Sequence, residues 1–376
     1  MEKEMDKIKI LYLVSTLKKC GPMNILYGII AGLDRSRFDI YIVCLSAEGK
    51  DSALDMFKTL GLKIYQLNNS RLLGIFKNKR EVQNLVYKLK IDLIHSHGIR
   101  ADHINSRLKK VIRLNTIHNF PAEDYTFRYG KSKGMLMEIL HKRAIKKLEH
   151  PIACSKTISD KFNSLYGIAT NFVQNGIDTN RFFPDTKLKH QLKMELGLPP
   201  DKRIFIVSSA LTLLKNPQII VEAFNQIRDP DVFLLFIGNG ELLRSLAAKN
   251  KNDSIVFKGK INNVSDHLKA SDYFVSASLT EGLPNSVLEA LGTGLPAILS
   301  KIPAHIEIVG PSYPYFFDPE DVADLHQKME KVLNTQRIEM NSDLVEKINS
   351  EFSAPVMSEK YASLYLKSMN NKTFHL

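Results

Sequence analysis

Short apolar runs alternate with longer amphipathic stretches along most of this chain. The runs are IKILYLVS (8–15), FDIYIVCLS (38–46), LKIYQL (62–67), DLIHSHG (92–98), RLNTIHN (113–119) and HPIACS (150–155). Between them lie segments such as NILYGIIAGLD and NKREVQNLVYKLK, whose apolar positions recur at helical spacing. A run that is apolar on both faces belongs inside a sheet covered on both sides. The pattern therefore predicts βαβ units and a parallel sheet.

FVQNGIDTNRFFP (172–184) carries an Asn-Gly turn and ends in proline, as a link between domains would. The alternation then restarts with RIFIVSSA (203–210), VFLLFIGNG (232–240), SIVFKGK (254–260), DYFVSAS (272–278) and LPAILS (295–300). The prediction is an α/β chain of two Rossmann-like, doubly wound domains facing across a cleft. The first spans residues 1–183 and is completed by a C-terminal helix over 355–376; the second spans 184–354. The segment SAPVMSEKYASLYLKSM is amphipathic and is expected to pack back on the first domain. Ligands of such sheets sit outside the carboxyl ends of the strands, which directs attention to the loops after each run.

Composition narrows the classes. With 376 residues, 44% hydrophobic and 24% charged, the chain has material for two ordinary globular cores. No apolar run approaches the roughly 18 residues that suggest a membrane span. The opening MEKEMDKIKILYLVSTLKKCGP has a short apolar stretch, Lys9 at its entry and Lys18-Lys19 at its exit, so it reads as a buried strand rather than a leader. Three cysteines (Cys20, Cys44, Cys154), odd in number and without metal-ligand spacing, fit reduced thiols in a cytoplasm. The net charge of +12 is uneven: residues 1–200 hold 34 Lys+Arg against 19 Asp+Glu, and the remainder 18 against 21. A basic first half suits nucleic acid, anionic lipid or an anionic substrate. No zinc-knuckle spacing, no RNA-binding aromatic signature and no tryptophan occur, so nucleic acid is not the expected partner.

The segment SASLTEGLPNSVLEALGTGLPAILS (276–300) holds the chemistry-bearing spacing. Glu281 and Glu289 bracket Gly282-Leu283-Pro284-Asn285 where a strand pattern gives way to a helical one. A capping acid and a solvated helix position would account for both. A site for a polyhydroxylated, diphosphate-bearing ligand would do so too, because helix-start amides favour phosphate and each carboxylate can accept hydroxyl hydrogen bonds. Pro284 is expected in the first helical turn.

Glu281-Gly282-Leu283-Pro284-Asn285…Glu289-Ala290-Leu291 closely resembles the Glu-x7-Glu signature of retaining glycosyltransferases of family 4, which have the GT-B fold. The resemblance runs over nearly the whole chain in family order, through CGPMNILYGIIAGLD, IDLIHSHG, TIHN, VQNGIDTNRF, LKNPQIIVEAF, FLLFIGNGEL, IVFKGKI and LPAILSKIPAHIEIV. It implies that Glu281 meets hydroxyls of the donor sugar and Glu289 grips the nucleotide ribose. The amides from Leu283 onward would hold the sugar and diphosphate. Lys215 looks like the diphosphate-binding lysine, opposing charge on the leaving nucleotide; a surface lysine in a polar loop is the plain alternative. The family commonly adds an arginine at the position of Ala210 or of Leu214, and this chain has none there. Gly21 resembles the glycine that lets a diphosphate or acceptor approach the backbone, although Pro22 stands where a second glycine is common. His118 matches the histidine near the reactive centre, and the backbone near Ile261 would face the base.

His95 and His97, flanking Ser96 at a strand end, are expected on opposite faces of the sheet, as packing or acceptor-side residues. Two decoys are set aside. Asp229-Pro230-Asp231 mimics a metal-binding Asp-x-Asp but precedes its strand, and Gly238-Asn239-Gly240 does not continue into a dinucleotide fingerprint. The resemblance implies a metal-independent hexosyl- or N-acetylhexosaminyltransferase without cofactor. It would use a nucleotide-diphosphate sugar and an acceptor linked to polyprenyl diphosphate, in O-antigen or capsule assembly. A nucleotide-sugar epimerase of the same fold and a catalytically degenerate donor-binding protein are the alternatives. The basic, amphipathic KSKGMLMEILHKRAIKKLEH suggests a cytoplasmic protein resting on the inner face of the membrane, with plain solvation of a helix surface as the other explanation.

Overall fold

The computed structural model describes residues 7–69, 74–185, 189–335 and 342–372. Residues 1–6 of the opening segment and 373–376 of the expected closing helix lie outside the described residues. The chain forms two compact units: Met1–Gly176 with Ala354–Leu376, and Ile177–Ser353.

In the first unit the strands are β1 (Ile8–Val14), β2 (Phe38–Cys44), β3 (Lys63–Gln66), β4 (Leu93–His97), β5 (Ile112–Ile117), β6 (His150–Ala153) and β7 (Asn171–Phe172). They form one parallel sheet in the order β3-β2-β1-β4-β5-β6-β7. Beyond Lys9, β1 is an unbroken run of apolar and aromatic residues because both of its faces are covered. Ile10, Tyr12 and Val14 join the core on one side, and Leu11 and Leu13 join the core on the other. Two-residue β7 escaped the sequence pattern because it is too short to show a period.

The helix Ala354–Lys372 supplies Met357, Tyr361 and Tyr365 to the first of these cores. It packs along the helix Gly21–Gly32 at a glycine notch: a Cβ added at Gly32 would stand 2.6 Å from the Cβ of Ser358. The Ser358 hydroxyl donates to the Ile29 carbonyl at 2.8 Å. Buried hydroxyls then fix the register of the closing helix. Tyr365 Oη lies 2.9 Å from Tyr12 Oη and 2.7 Å from His95 Nδ1, and Tyr361 Oη lies 2.8 Å from Thr116 Oγ1.

The second unit has strands β8 (Arg203–Ser208), β9 (Val232–Ile237), β10 (Ile255–Gly259), β11 (Tyr273–Ser276), β12 (Ala297–Ser300) and β13 (Phe316–Phe317). Their order is β10-β9-β8-β11-β12-β13, again parallel. In each sheet the order reverses beside its first strand, between β1 and β4 and between β8 and β11. Ligand crevices of such sheets open there. The division between units falls at Gly176–Ile177, ahead of the proline that suggested a boundary after Phe183. Ile177 and Phe182 already pack on the second unit, where Gly292 leaves them room: a Cβ on it would lie 3.0 Å from each.

Candidate active site

The loop after β8 tightens into a single turn over Leu213–Lys215 and is closed by Asn216 in the left-handed region (φ 49°). Asn216 Nδ2 donates to the Pro319 carbonyl at 2.9 Å, and Leu279 N–H donates to the Leu214 carbonyl at 2.9 Å. The first ties the loop after β8 to the stretch after β13, and the second binds it to the loop after β11. They bring Lys215 Nζ onto Glu281 Oε1 as an ion pair. The Ser278 hydroxyl donates to the same oxygen at 2.7 Å. The Glu281 side chain is 8% exposed and that of Lys215 21%, so the pair is screened less than surface pairs are. Among the described residues, Lys215 and Ser278 are the partners of Glu281, and both meet Oε1.

Gly282, Leu283 and Pro284 are buried and lead into the helix Asn285–Gly292. Pro284 is the residue that caps the helix rather than one in its first turn. Its ψ of 111° is extended, which delays the first helical residue to Asn285. Leu283, 4% exposed, spends its side chain in the core, so its backbone is what it can offer a ligand. Glu289 follows in the second turn. Burial pushes its carboxyl up to about 7, with the Arg181 guanidinium pulling the other way. Arg181 Nη2 also donates to the Asn262 carbonyl at 2.8 Å, next to the half-buried Ile261 in the turn after β10. The surroundings of Glu289 and Ile261 thus share one cation. Sequence reading passed over it inside VQNGIDTNRF.

Behind Glu281 runs a chain of buried polar groups that was equally missed. The Ser300 hydroxyl, at the end of β12, donates to the Ser278 carbonyl at 2.7 Å. His305 Nδ1, in the helix Pro303–Val309, lies 2.7 Å from the Ser300 carbonyl, and Ser276 Oγ lies 3.4 Å from His305 Nε2. Burial holds the imidazole down at about 4; the Ser300 carbonyl and Glu281 oppose that shift, and Lys215 adds to it. A histidine within the apolar stretch LPAILSKIPAHIEIV was the available signal.

Both decoys are structural. Asp229 pairs with Arg203 and accepts the Asp231 N–H at 2.8 Å, closing a turn before β9. Gly238 and Gly240 are required by packing, since a Cβ on either would stand 1.8 or 2.1 Å from the carbonyl oxygen of Ser209 or Leu211. At Leu214, one of the two positions where the resemblance implies an arginine, the chain contributes the carbonyl that ties the loops after β8 and β11 together.

In the first unit, Gly21 is exposed and opens the helix Gly21–Gly32. The loop before it is laced to residues 48–53: Leu17 N–H donates to Glu48 Oε1 at 2.8 Å and Lys19 N–H to the Asp51 carbonyl at 2.8 Å. His118 follows β5, half-buried, with its Nε2 3.0 Å from His97 Nδ1. His95 and His97 share one face, with ring centroids 4.4 Å apart, contrary to the expectation of opposite faces. Residues two apart in a strand point the same way, and Ser96 between them takes the other side. His95 is held by Tyr365 and by Thr116, whose Oγ1 lies 2.8 Å from its Nε2, so it packs the core. Burial pushes His95 down to about 3 and His118 to about 4, and His97 well below its ordinary value. Neutral imidazoles of this kind each offer one donor and one acceptor.

Two family models match the chain: "Glycosyltransferase Family 4" over residues 21–181 and "Glycosyl transferases group 1" over residues 189–350. Among curated proteins, the Escherichia coli UDP-Gal:alpha-D-GlcNAc-diphosphoundecaprenol alpha-1,3-galactosyltransferase is 25% identical over 387 residues, covering 99% of this chain and 100% of its own. The Escherichia coli O-antigen biosynthesis glycosyltransferase WclY is 24% identical over 371 residues, covering 95% and 98%. Among solved structures, Anabaena HepE in complex with UDP superposes with a TM-score of 0.80 at 18% identity, over 96% of this chain and 100% of that one.

Proposed function

Because this chain belongs to glycosyltransferase family 4 and has the GT-B fold, we propose that it moves a sugar from a nucleotide-diphosphate donor to a hydroxyl of a lipid-diphosphate-linked glycan, with retention, in O-antigen or capsule assembly. The observation that carries this reading is the Lys215–Glu281 pair, set where the strand order reverses and just ahead of the helix start at Asn285. The Escherichia coli relative whose name gives a UDP-galactose donor and a diphosphoundecaprenol-linked acceptor supports a hexosyl donor, with N-acetylhexosaminyl transfer as the other reading of the resemblance.

The chemistry breaks the bond from the anomeric carbon to the diphosphate oxygen and forms one to the acceptor hydroxyl oxygen. The hydroxyl proton passes to the departing phosphate on the same face. Lys215 opposes the charge that grows on the diphosphate, and the amides at the start of the helix Asn285–Gly292 share that task. Glu281 accepts a donor-sugar hydroxyl and Glu289 a ribose hydroxyl, each as a charge-assisted bond. In the same proposal His118 orients the sugar, Gly21 leaves room for backbone approach, and the backbone at Ile261 meets the base. The positive charge comes from Lys215, without a metal.

The same proposal places the first unit on the inner membrane face. No described helix is long and apolar enough to cross a membrane. The helices Pro121–Tyr129 and Lys131–Ile145 instead pack tightly at Gly134, where a Cβ would meet the Thr126 backbone at 2.9 Å. They leave Phe127, Tyr129, Met135, Leu136, Ile139 and Leu140 between 39% and 60% exposed, among Lys131, Lys133 and Arg143. Apolar side chains ringed by cations suit an anionic lipid surface.

The test is incubation with radiolabelled UDP-, GDP- and dTDP-sugars, with and without a polyprenyl-diphosphate N-acetylglucosamine acceptor, in chelator. Label should move only when acceptor is present, and chelator should leave the rate unchanged. A sugar altered without acceptor identifies an epimerase. Inertness toward every donor identifies a binding protein without catalysis.

A further inference from the structure

We propose that His305 is a positioning residue for Glu281: acting through Ser300 and Ser278, it commits Oε1 of the carboxylate to the protein and leaves Oε2 to the donor. This rests on the reading of Glu281 as a sugar contact. The direction of every bond in the series is fixed by the acceptors. The Ser300 carbonyl can only accept, so His305 carries its proton on Nδ1, 2.7 Å away. The Ser278 carbonyl can only accept, so Ser300 Oγ donates at 2.7 Å. The carboxylate can only accept, so Ser278 Oγ donates at 2.7 Å. His305 and Ser300 are 0% exposed and Ser278 is 2%, so water does not substitute for any member. A buried donor or acceptor deprived of its partner is costly, and the series relaxes together when one group is removed. Neutrality suits the imidazole: a charged ring would compete with Lys215 for the same carboxylate.

The test measures sugar-nucleotide affinity by calorimetry, with UDP-galactose, UDP-glucose, UDP-N-acetylglucosamine, GDP-mannose and dTDP-rhamnose as probes and the bare nucleoside diphosphates alongside. His305→Leu should weaken the best-bound sugar nucleotide by roughly tenfold or more, the effect of a misplaced bond to a charged group. Binding of the bare diphosphate should stay within about twofold. His305→Asn, which keeps a donor near the Nδ1 position, should restore most of the affinity. In a Glu281→Gln background, His305→Leu should add less than about twofold, because groups acting through one another do not add. Equal losses in both backgrounds, or equal losses for sugar nucleotide and bare diphosphate, would overturn the positioning role. If Glu281→Gln alone changes nothing, or no probe binds, the underlying site reading falls instead.

Discussion

Replacing Lys215 by alanine tests the centre of the site, because it separates what the lysine does for chemistry from what it does for the fold. In the folded protein its ammonium meets Glu281, whose side chain is 8% exposed, leaving that carboxylate with Ser278 alone once it is gone. Stranding one member of a fully buried pair costs about 3–5 kcal/mol. Lys215 is 21% exposed, so water and counterions recover part of this, and a loss of about 1–3 kcal/mol is expected. For a unit of this size that lowers the melting temperature by about 2–4 °C per kcal/mol. The catalytic loss should be larger. Removing one preorganised group that opposes developing charge costs about 10²–10³-fold in kcat. Steady-state transfer assays at a temperature where both proteins are folded give kcat and KM, and calorimetric scans give stability. A variant that melts lower yet keeps kcat within about threefold of wild type would refute the assignment, because the lysine would then be a structural counter-ion.

Glu289 carries a pH signature. Its carboxyl is raised from 4.5 to about 7 in the folded protein, so the folded state binds the extra proton. Stability therefore falls as pH rises from about 4.5 through about 7, whereas nucleoside-diphosphate affinity rises across the upper part of that window as the carboxylate forms; titrations of Glu289→Gln should flatten both trends. Acid should act oppositely through His95, His118 and His305, whose folded values near 3 or 4 lie below 6.5, so stability drains away between about pH 6.5 and pH 4 with proton uptake, measurable by pH-jump denaturation. Tyr365→Phe removes the hydroxyl shared by Tyr12 and His95 and should cost about 1–3 kcal/mol for each group left unmet, read by urea denaturation against the exposed control Tyr87→Phe. Leu136→Glu should reduce cosedimentation with phosphatidylglycerol vesicles several-fold without changing the melting temperature, and unchanged binding would argue against that face.

The sheets were legible because their central strands are buried on both faces, which writes them as largely apolar runs. The two-residue β7 and β13 left no such mark. Glu281 and Lys215 were legible as types at spaced positions, but their pairing was not, since it depends on the Leu279–Leu214 bond between loops far apart in sequence. Ser278, Ser300 and His305 were hidden for the same reason: a serine at a strand end is ordinary until its carbonyl and hydroxyl partners are known. The misreading of His95 and His97 was of another kind, a slip of strand period.

The helix Ala354–Lys372 follows the whole of the second unit in the chain, yet its two tyrosines finish the core of the first. During synthesis, the sheet β1–β7 must wait, with one face covered only in part by the helix Gly21–Gly32, while some 180 further residues emerge and form a contiguous unit of their own. Order of manufacture and order of completion are thus inverted. The early half remains exposed to chaperones, proteases and self-association until the later half is already built.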